Sequence, residues 1–127
     1  MLVAHAPGTR GNLVFIGFDP RDLDHLTAQK PLSIDGNGVG IPGKPVVILY
    51  ETDPMVEFYA AQPWVMTILF RRSTLDALRG TPRGFLRLPL AGEGVPANTI
   101  AMLFFEEDDA ALIRTLEGTG LTKGVNA

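Results

Sequence analysis

Three groups of residues in this sequence are of types that could do chemistry. Arg71-Arg72-Ser73 follows an apolar run and precedes a helical pattern. Two guanidiniums beside the free N–H groups of a helix start could hold a phosphate or a carboxylate. The competing reading is a solvated strand-to-helix turn in which Ser73 caps the helix. Glu51 and Glu106 each close an apolar run just before a helix cap. Paired carboxylates can do acid–base work or hold a magnesium ion. Acidic residues also complement the dipole at helix starts, and that structural role carries more weight here. Third, the segment Gly36-Asn37-Gly38-Val39-Gly40-Ile41-Pro42-Gly43 superficially resembles a phosphate-binding loop. Phosphate loops join a strand to a helix, whereas this one joins two strands. A second version (Gly92, Gly94, Val95, Pro96) lies between two later strands, so a connection needing positive φ accounts for both.

The remaining reactive side chains form no constellation. His5 and His25 have no metal-ligand spacing, and Ser, His and Asp are present without a Gly-x-Ser-x-Gly element. The chain has no cysteine, which excludes disulfides, thiolate metal sites and a cysteine nucleophile. No catalytic residue, metal site or cofactor is assigned from the sequence. The net charge of −3 opposes sequence-independent binding to nucleic acid. Arg71, Arg72, Arg79, Arg83 and Arg87, and the acidic run Glu106-Glu107-Asp108-Asp109, read as solvated surface.

The elements that must position these residues are legible from apolar pattern and turn chemistry. Residues 1–11 are rich in Ala, Pro and Gly and read as an irregular arm. Strands are expected at 12–18, 32–35, 45–51, 64–70, 85–90 and 100–106, where apolar, β-branched and aromatic residues concentrate. Helices are expected after Asp19-Pro20, after Thr52 or Asp53, at Ser73 and at Asp108. In the second of these, Met55, Phe58 and Tyr59 are expected to face the core at i, i+3, i+4. Residues 119–127 read as a frayed tail. No leader pattern and no apolar run near the roughly 20 residues of a membrane span is present, so a cytoplasmic location and no membrane partner are expected.

The element order repeats. Phe18, Leu23, Asp24 and Leu26 match Phe70, Leu75, Asp76 and Leu78 at a constant offset, and Tyr50, Glu51 and Asp53 match Phe105, Glu106 and Asp108. The pattern implies a single domain, 1–127, made of two β-α-β-β-α units of roughly 54 residues, at 12–63 and 64–118. The order β-α-β-β-α-β resembles the ferredoxin-like fold. An α+β fold with a six-stranded antiparallel sheet in the order 2-3-1-4-6-5 follows, counting from the strand at 12–18, with all helices on one face.

That arrangement has a physical difficulty. The four central strands are apolar on both faces, so the face without helices would expose a large apolar surface. The economical answer is a homodimer or larger assembly packed sheet to sheet, or another protein partner; the alternative is a crossover that puts a helix on the second face. Phe15, Ile48, Tyr50, Met66, Ile68, Met102 and Phe104 are the candidate interface residues, without assignment to a face. The primary functional reading is a non-enzymatic, self-associating binding or assembly module. The runner-up is a small-ligand-binding protein or enzyme of the dimeric ferredoxin-like type. Its pocket would lie between sheet and helices or at the dimer seam.

Overall fold

Apolar runs become strands, and the acidic steps that follow them become helix starts. The computed structural model describes residues 1–8, 11–80 and 84–119. In chain order the elements are β1 (Leu2–Gly8), β2 (Gly11–Phe18), α1 (Pro20–Thr27), β3 (Leu32–Ile34), a 3₁₀ turn (Gly36–Val39) and β4 (Val46–Tyr50). There follow α2 (Val56–Ala60), β5 (Met66–Phe70), α3 (Arg72–Gly80), β6 (Leu86–Leu90), β7 (Thr99–Phe105) and α4 (Asp109–Glu117). The fold is mixed α and β, and among the described residues no helix is long and apolar enough to cross a membrane.

The strands form two sheets, β1-β2-β7-β6 and β3-β4-β5. The pairs β1–β2, β3–β4 and β6–β7 are antiparallel. The pairs β2–β7 and β4–β5 are parallel. The first sheet therefore joins a hairpin from each half of the chain, and the second joins the β3–β4 hairpin to β5 from the other half. This corrects the expected six-stranded antiparallel sheet. The pairs β3–β4 and β6–β7 form as expected, but β2 lies against β7 rather than β4, and β4 lies against β5. The cause is the two-sided apolar character of β2, β4, β5 and β7, because a single sheet with helices on one face would leave half of those side chains in water.

Two sheets solve this by facing each other. Val14, Ile16 and Phe18 of β2 belong to the same core as Ile48 of β4 and Ile68 and Phe70 of β5. Leu23 and Leu26 of α1, and Leu75 and Leu78 of α3, complete it. The Phe18 and Phe70 rings meet edge to face, with centroids 5.3 Å apart at an interplanar angle of 62°. Both are fully buried, and each stabilises the fold by about 1.5–3 kcal/mol in transfer free energy. The outer faces are covered by the other two helices. Leu112 and Leu116 of α4 pack on Phe15 and Phe104, while Val56 and Tyr59 of α2 pack on Val47, Leu49 and Val65. Gly17 makes the α4 contact possible, since a Cβ there would lie 2.5 Å from the Phe104 ring and 2.8 Å from Leu112.

Several local expectations change with this architecture. The arm at 1–11 is largely strand β1, hydrogen-bonded to β2 across Leu2↔Gly17 to Gly8↔Gly11, with Thr9 and Arg10 outside the described residues. The pairing satisfies backbone groups that composition alone gives no reason to pair. Met55 and Phe58 do not face the core. Helix α2 is only five residues long and turns Val56 and Tyr59 inward, leaving Met55 and Phe58 exposed. Ser73 is not the cap of α3, because the helix already starts at Arg72. The candidate interface residues are inside the chain. Ile48 and Ile68 lie between the sheets, Phe15 and Phe104 lie under α4, and Tyr50, Met66 and Met102 are partly buried against these clusters. The face expected to be bare is thus covered by a helix of the same chain. Arg83 and the tail from residue 120 lie outside the described residues.

Helix α1 begins as the sequence predicts. Asp19 is its N-cap, accepting from the Asp22 N–H at 3.0 Å while the Asp22 carboxylate accepts from the Asp19 N–H. Burial pushes the Asp19 carboxyl up. The Asp22 N–H, the Arg21 guanidinium and the chain's terminal ammonium outweigh it, so the net shift is downward. A depressed folded-state value contributes stability above the unfolded value of about 3.9, and that contribution is lost as pH falls through the folded value. Asp19→Asn keeps a capping side chain but loses the charge. Urea unfolding should therefore show Asp19→Asn less stable than the parent at pH 7, with the gap narrowing as the pH is lowered to about 3. A gap that is the same at both pH values would contradict this account.

Candidate functional site

Among the described residues, polar groups converge at the end of the molecule where the adjoining ends of β1 and β2 meet residues 36–43 and residues 91–98. A cleft of about 440 Å³ opens there, lined by His5, Asn12, Gly40, Pro96, Ala97 and Asn98 among others. Its floor is a buried polar network. Asn12 is only 7% exposed, although it carries an amide. Its Nδ2 donates to the Val39 carbonyl at 3.3 Å, to the Gly40 carbonyl at 3.4 Å and to Thr99 Oγ1 at 3.4 Å. Thr99 Oγ1 donates in turn to the Pro96 carbonyl at 2.7 Å. The Asn12 N–H donates to the Asn98 carbonyl at 3.1 Å. One asparagine thus ties β2, β7 and both long turns together.

This network fixes protons. Two carbonyls, which only accept, face the Asn12 nitrogen, so the amide orientation follows, and Asn12 Oδ1 must be the atom bonded to His5 Nε2. With that acceptor beside it, Nε2 is the ring nitrogen that donates. Nδ1 is the ring nitrogen that Asn12 does not engage. The turn at 36–43 closes over the ring through Gly40, whose φ of 76° suits glycine and where a Cβ would collide with the imidazole. Lys44 Nζ donates to the Glu93 carbonyl and joins the two glycine-bearing turns directly.

A second, more apolar cleft of about 650 Å³ adjoins the first. The two share Pro7, Gly8, Gly11 and Asn98, and the second adds Ala6, Leu13 and Ile100. Side chains alternate along β1 and β2, so His5 and Asn12 lie on the inner face of the sheet, with Ala6 and Leu13 on the outer face.

The residues singled out from the sequence lie elsewhere. Arg71, Arg72 and Ser73 are exposed at the start of α3. The Arg72 N–H there already donates to the Glu51 carboxylate at 2.5 Å, and the Arg71 N–H to Thr74 Oγ1 at 3.3 Å. Glu51 thus supplies the helix start with its own anion, the structural role weighed for it in the sequence. Glu106 accepts instead from Thr115 Oγ1 at 2.7 Å, within its own half of the chain. The two glutamates share no partner in these contacts. The glycine turn was discounted as a phosphate cradle and lies at the cleft as a wall against His5. Among the described residues no group of three or more His, Asp or Glu could hold a metal ion. Asn12 was missed because an asparagine at a strand start reads as turn chemistry. Its signal was the pairing of a polar residue with an otherwise apolar strand.

Comparison with family models, with curated proteins and with solved structures gives no match. If Asn12 is the structural centre of the site, Asn12→Ala leaves the His5 ring, the Thr99 hydroxyl and two carbonyls without their partner. Urea unfolding should show a loss of about 1–3 kcal/mol for that variant. A change below about 0.5 kcal/mol, the level of an ordinary surface substitution, would contradict the role given to Asn12.

Proposed function

We propose that this chain is a small-ligand-binding protein whose ligand sits in the cleft between the β1–β2 hairpin and the turns 36–43 and 91–98. The observation that carries the reading is the oriented His5. Its Nε2 is held by a buried asparagine and the residue lines a cleft of ligand size, which leaves Nδ1 as the ring nitrogen to offer a ligand. A ligand that suits it presents an N–H or O–H donor to Nδ1. The adjoining apolar cleft, beyond Pro7 and Gly8, suits a non-polar extension of the same molecule. Pre-positioning matters because the ordering cost is met on folding and not on binding.

We also read residues 12–63 and 64–118 as copies of one β-α-β-β-α unit that exchange hairpins. Two features support this. Phe18 and Phe70, equivalent in the two copies, touch each other, as residues beside a twofold axis must. The equivalent glutamates make equivalent bonds, with Glu51 N–H donating to the Phe70 carbonyl at 2.8 Å and Glu106 N–H to the Phe18 carbonyl at 3.0 Å. Among the described residues strand β1 has no counterpart in the second copy, and the cleft it helps to form lies at its own end of the molecule.

The test is a thermal-shift screen of small molecules bearing amide, hydroxyl or amine donors, followed by titration of any hit with the parent and His5→Ala. A ligand that raises the melting temperature, shifts the NMR signals of His5 and Asn12, and binds His5→Ala three- to tenfold more weakly is the expected result, since one hydrogen bond is worth about 0.5–1.5 kcal/mol. Hits that bind both proteins equally and leave His5 unshifted would overturn the assignment.

A further inference from the structure

The four edge strands of the two sheets differ in how they are protected. Native sheets blunt exposed edges with prolines, charges, short strands or covering segments. Edge strand β1 carries Pro7 and His5, β6 carries Arg87 and Pro89, and β3 is three residues long. Strand β5, Met66-Thr67-Ile68-Leu69-Phe70, has five residues and no proline, glycine or charge. Its neighbour on one side is β4, and among the described residues no strand pairs with its other side.

The outward backbone groups of β5 can be named. Met66 N–H donates to the Pro45 carbonyl, and the Phe70 carbonyl accepts from Glu51 N–H, so Met66 and Phe70 point towards β4. Alternation gives Ile68 the same direction and turns the N–H and C=O of Thr67 and Leu69 to the open edge. Leu69 is also one of the few large apolar side chains exposed in this fold, at 38%, and Trp64, just before the strand, is 53% exposed.

The first sheet shows what such an edge accepts. Strand β2 pairs in parallel with β7 and leads into α1, just as β5 pairs in parallel with β4 and leads into α3. The free side of β2 is occupied by antiparallel β1, and α1 does not obstruct it. The second sheet has no such strand on β5.

We infer that the β5 edge is a homodimer interface, in which β5 of a second copy of this chain pairs antiparallel with it about Ile68. In that register Thr67 lies opposite Leu69 of the second copy, and each pair exchanges two backbone hydrogen bonds. All four outward groups of each strand are satisfied, each exposed Leu69 side chain gains a neighbour, and the paired strands themselves carry no charge. Because the partner patch is identical, the pairing closes as a twofold and stops at two copies. The two three-stranded sheets become one six-stranded sheet. This surface is separate from the His5 cleft, so the two proposals stand or fall independently.

The test uses the full chain in sedimentation equilibrium and in cysteine cross-linking, for which a chain with no native cysteine is suited. The parent should sediment as a monomer–dimer equilibrium. Leu69→Lys, folded by circular dichroism, should raise the dimer dissociation constant roughly tenfold or more. An equimolar mixture of Thr67→Cys and Leu69→Cys should form a disulfide-linked heterodimer under mild oxidation faster than either variant alone, because only the mixed pair is directly opposite. A parent that remains monomeric up to about millimolar concentration, a folded Leu69→Lys that dimerises like the parent, or cross-linking with no preference for the mixed pair would overturn the inference. If Leu69→Lys does not fold, the parent's mass and the cross-linking preference decide.

Discussion

Strands β2, β4, β5 and β7 carry apolar side chains on both faces, and the rest of the structure is the way that constraint is met. Such strands need cover above and below. Here each inner face is covered by the opposing sheet with α1 and α3, and the outer faces by α4 and α2. The Phe18–Phe70 contact lies in the shared core, where the parallel strand ends come together. Because each sheet takes a strand from each half of the chain, neither half can bury its own apolar surface alone. The cost is non-local pairing, β2 with β7 above all, which must be closed over most of the chain's length.

The same interlocking creates the candidate site. Two long turns, 36–43 and 91–98, are carried to one end of the molecule, and the extra strand β1 brings His5 against them. Asn12 joins the turns through its side chain and backbone. A polar side chain this well buried is tolerable only when its hydrogen bonds are made, and the same side chain is what holds the imidazole in place. Stability and the preorganisation of His5 therefore have a common source. The acidic starts of α1 and α4 lie apart from this cleft: the Asp19 carboxylate is bonded to Arg21 at 3.3 Å, and Asp109 lies 3.8 Å from the same guanidinium.

Much of the local structure was legible in the sequence. The Asp19-Pro20 helix start, the Asp108 cap and the β3–β4 and β6–β7 pairs follow from residue types and spacing. What was not legible is which strands pair across the halves. Antiparallel hairpins are local and leave a turn signature, whereas parallel pairing leaves none. The two-sided apolar pattern did indicate that a second cover was needed. It could not say that the cover was another part of the same chain, so Phe15 and Phe104 read as interface residues when α4 lies over them. Strand β1 was hidden by its Ala, Pro and Gly content, and with it the relation between His5 and Asn12.

The central claim is the parallel junction between β2 and β7, and nuclear Overhauser contacts across it test that claim most directly. Backbone-proton contacts between Val14 and Ala101 and between Ile16 and Leu103, both pairs in register, are the predicted result. Contacts from β2 to β4 or β5 in their place would mean a single continuous sheet, and would contradict the two-sheet account along with the site built on it.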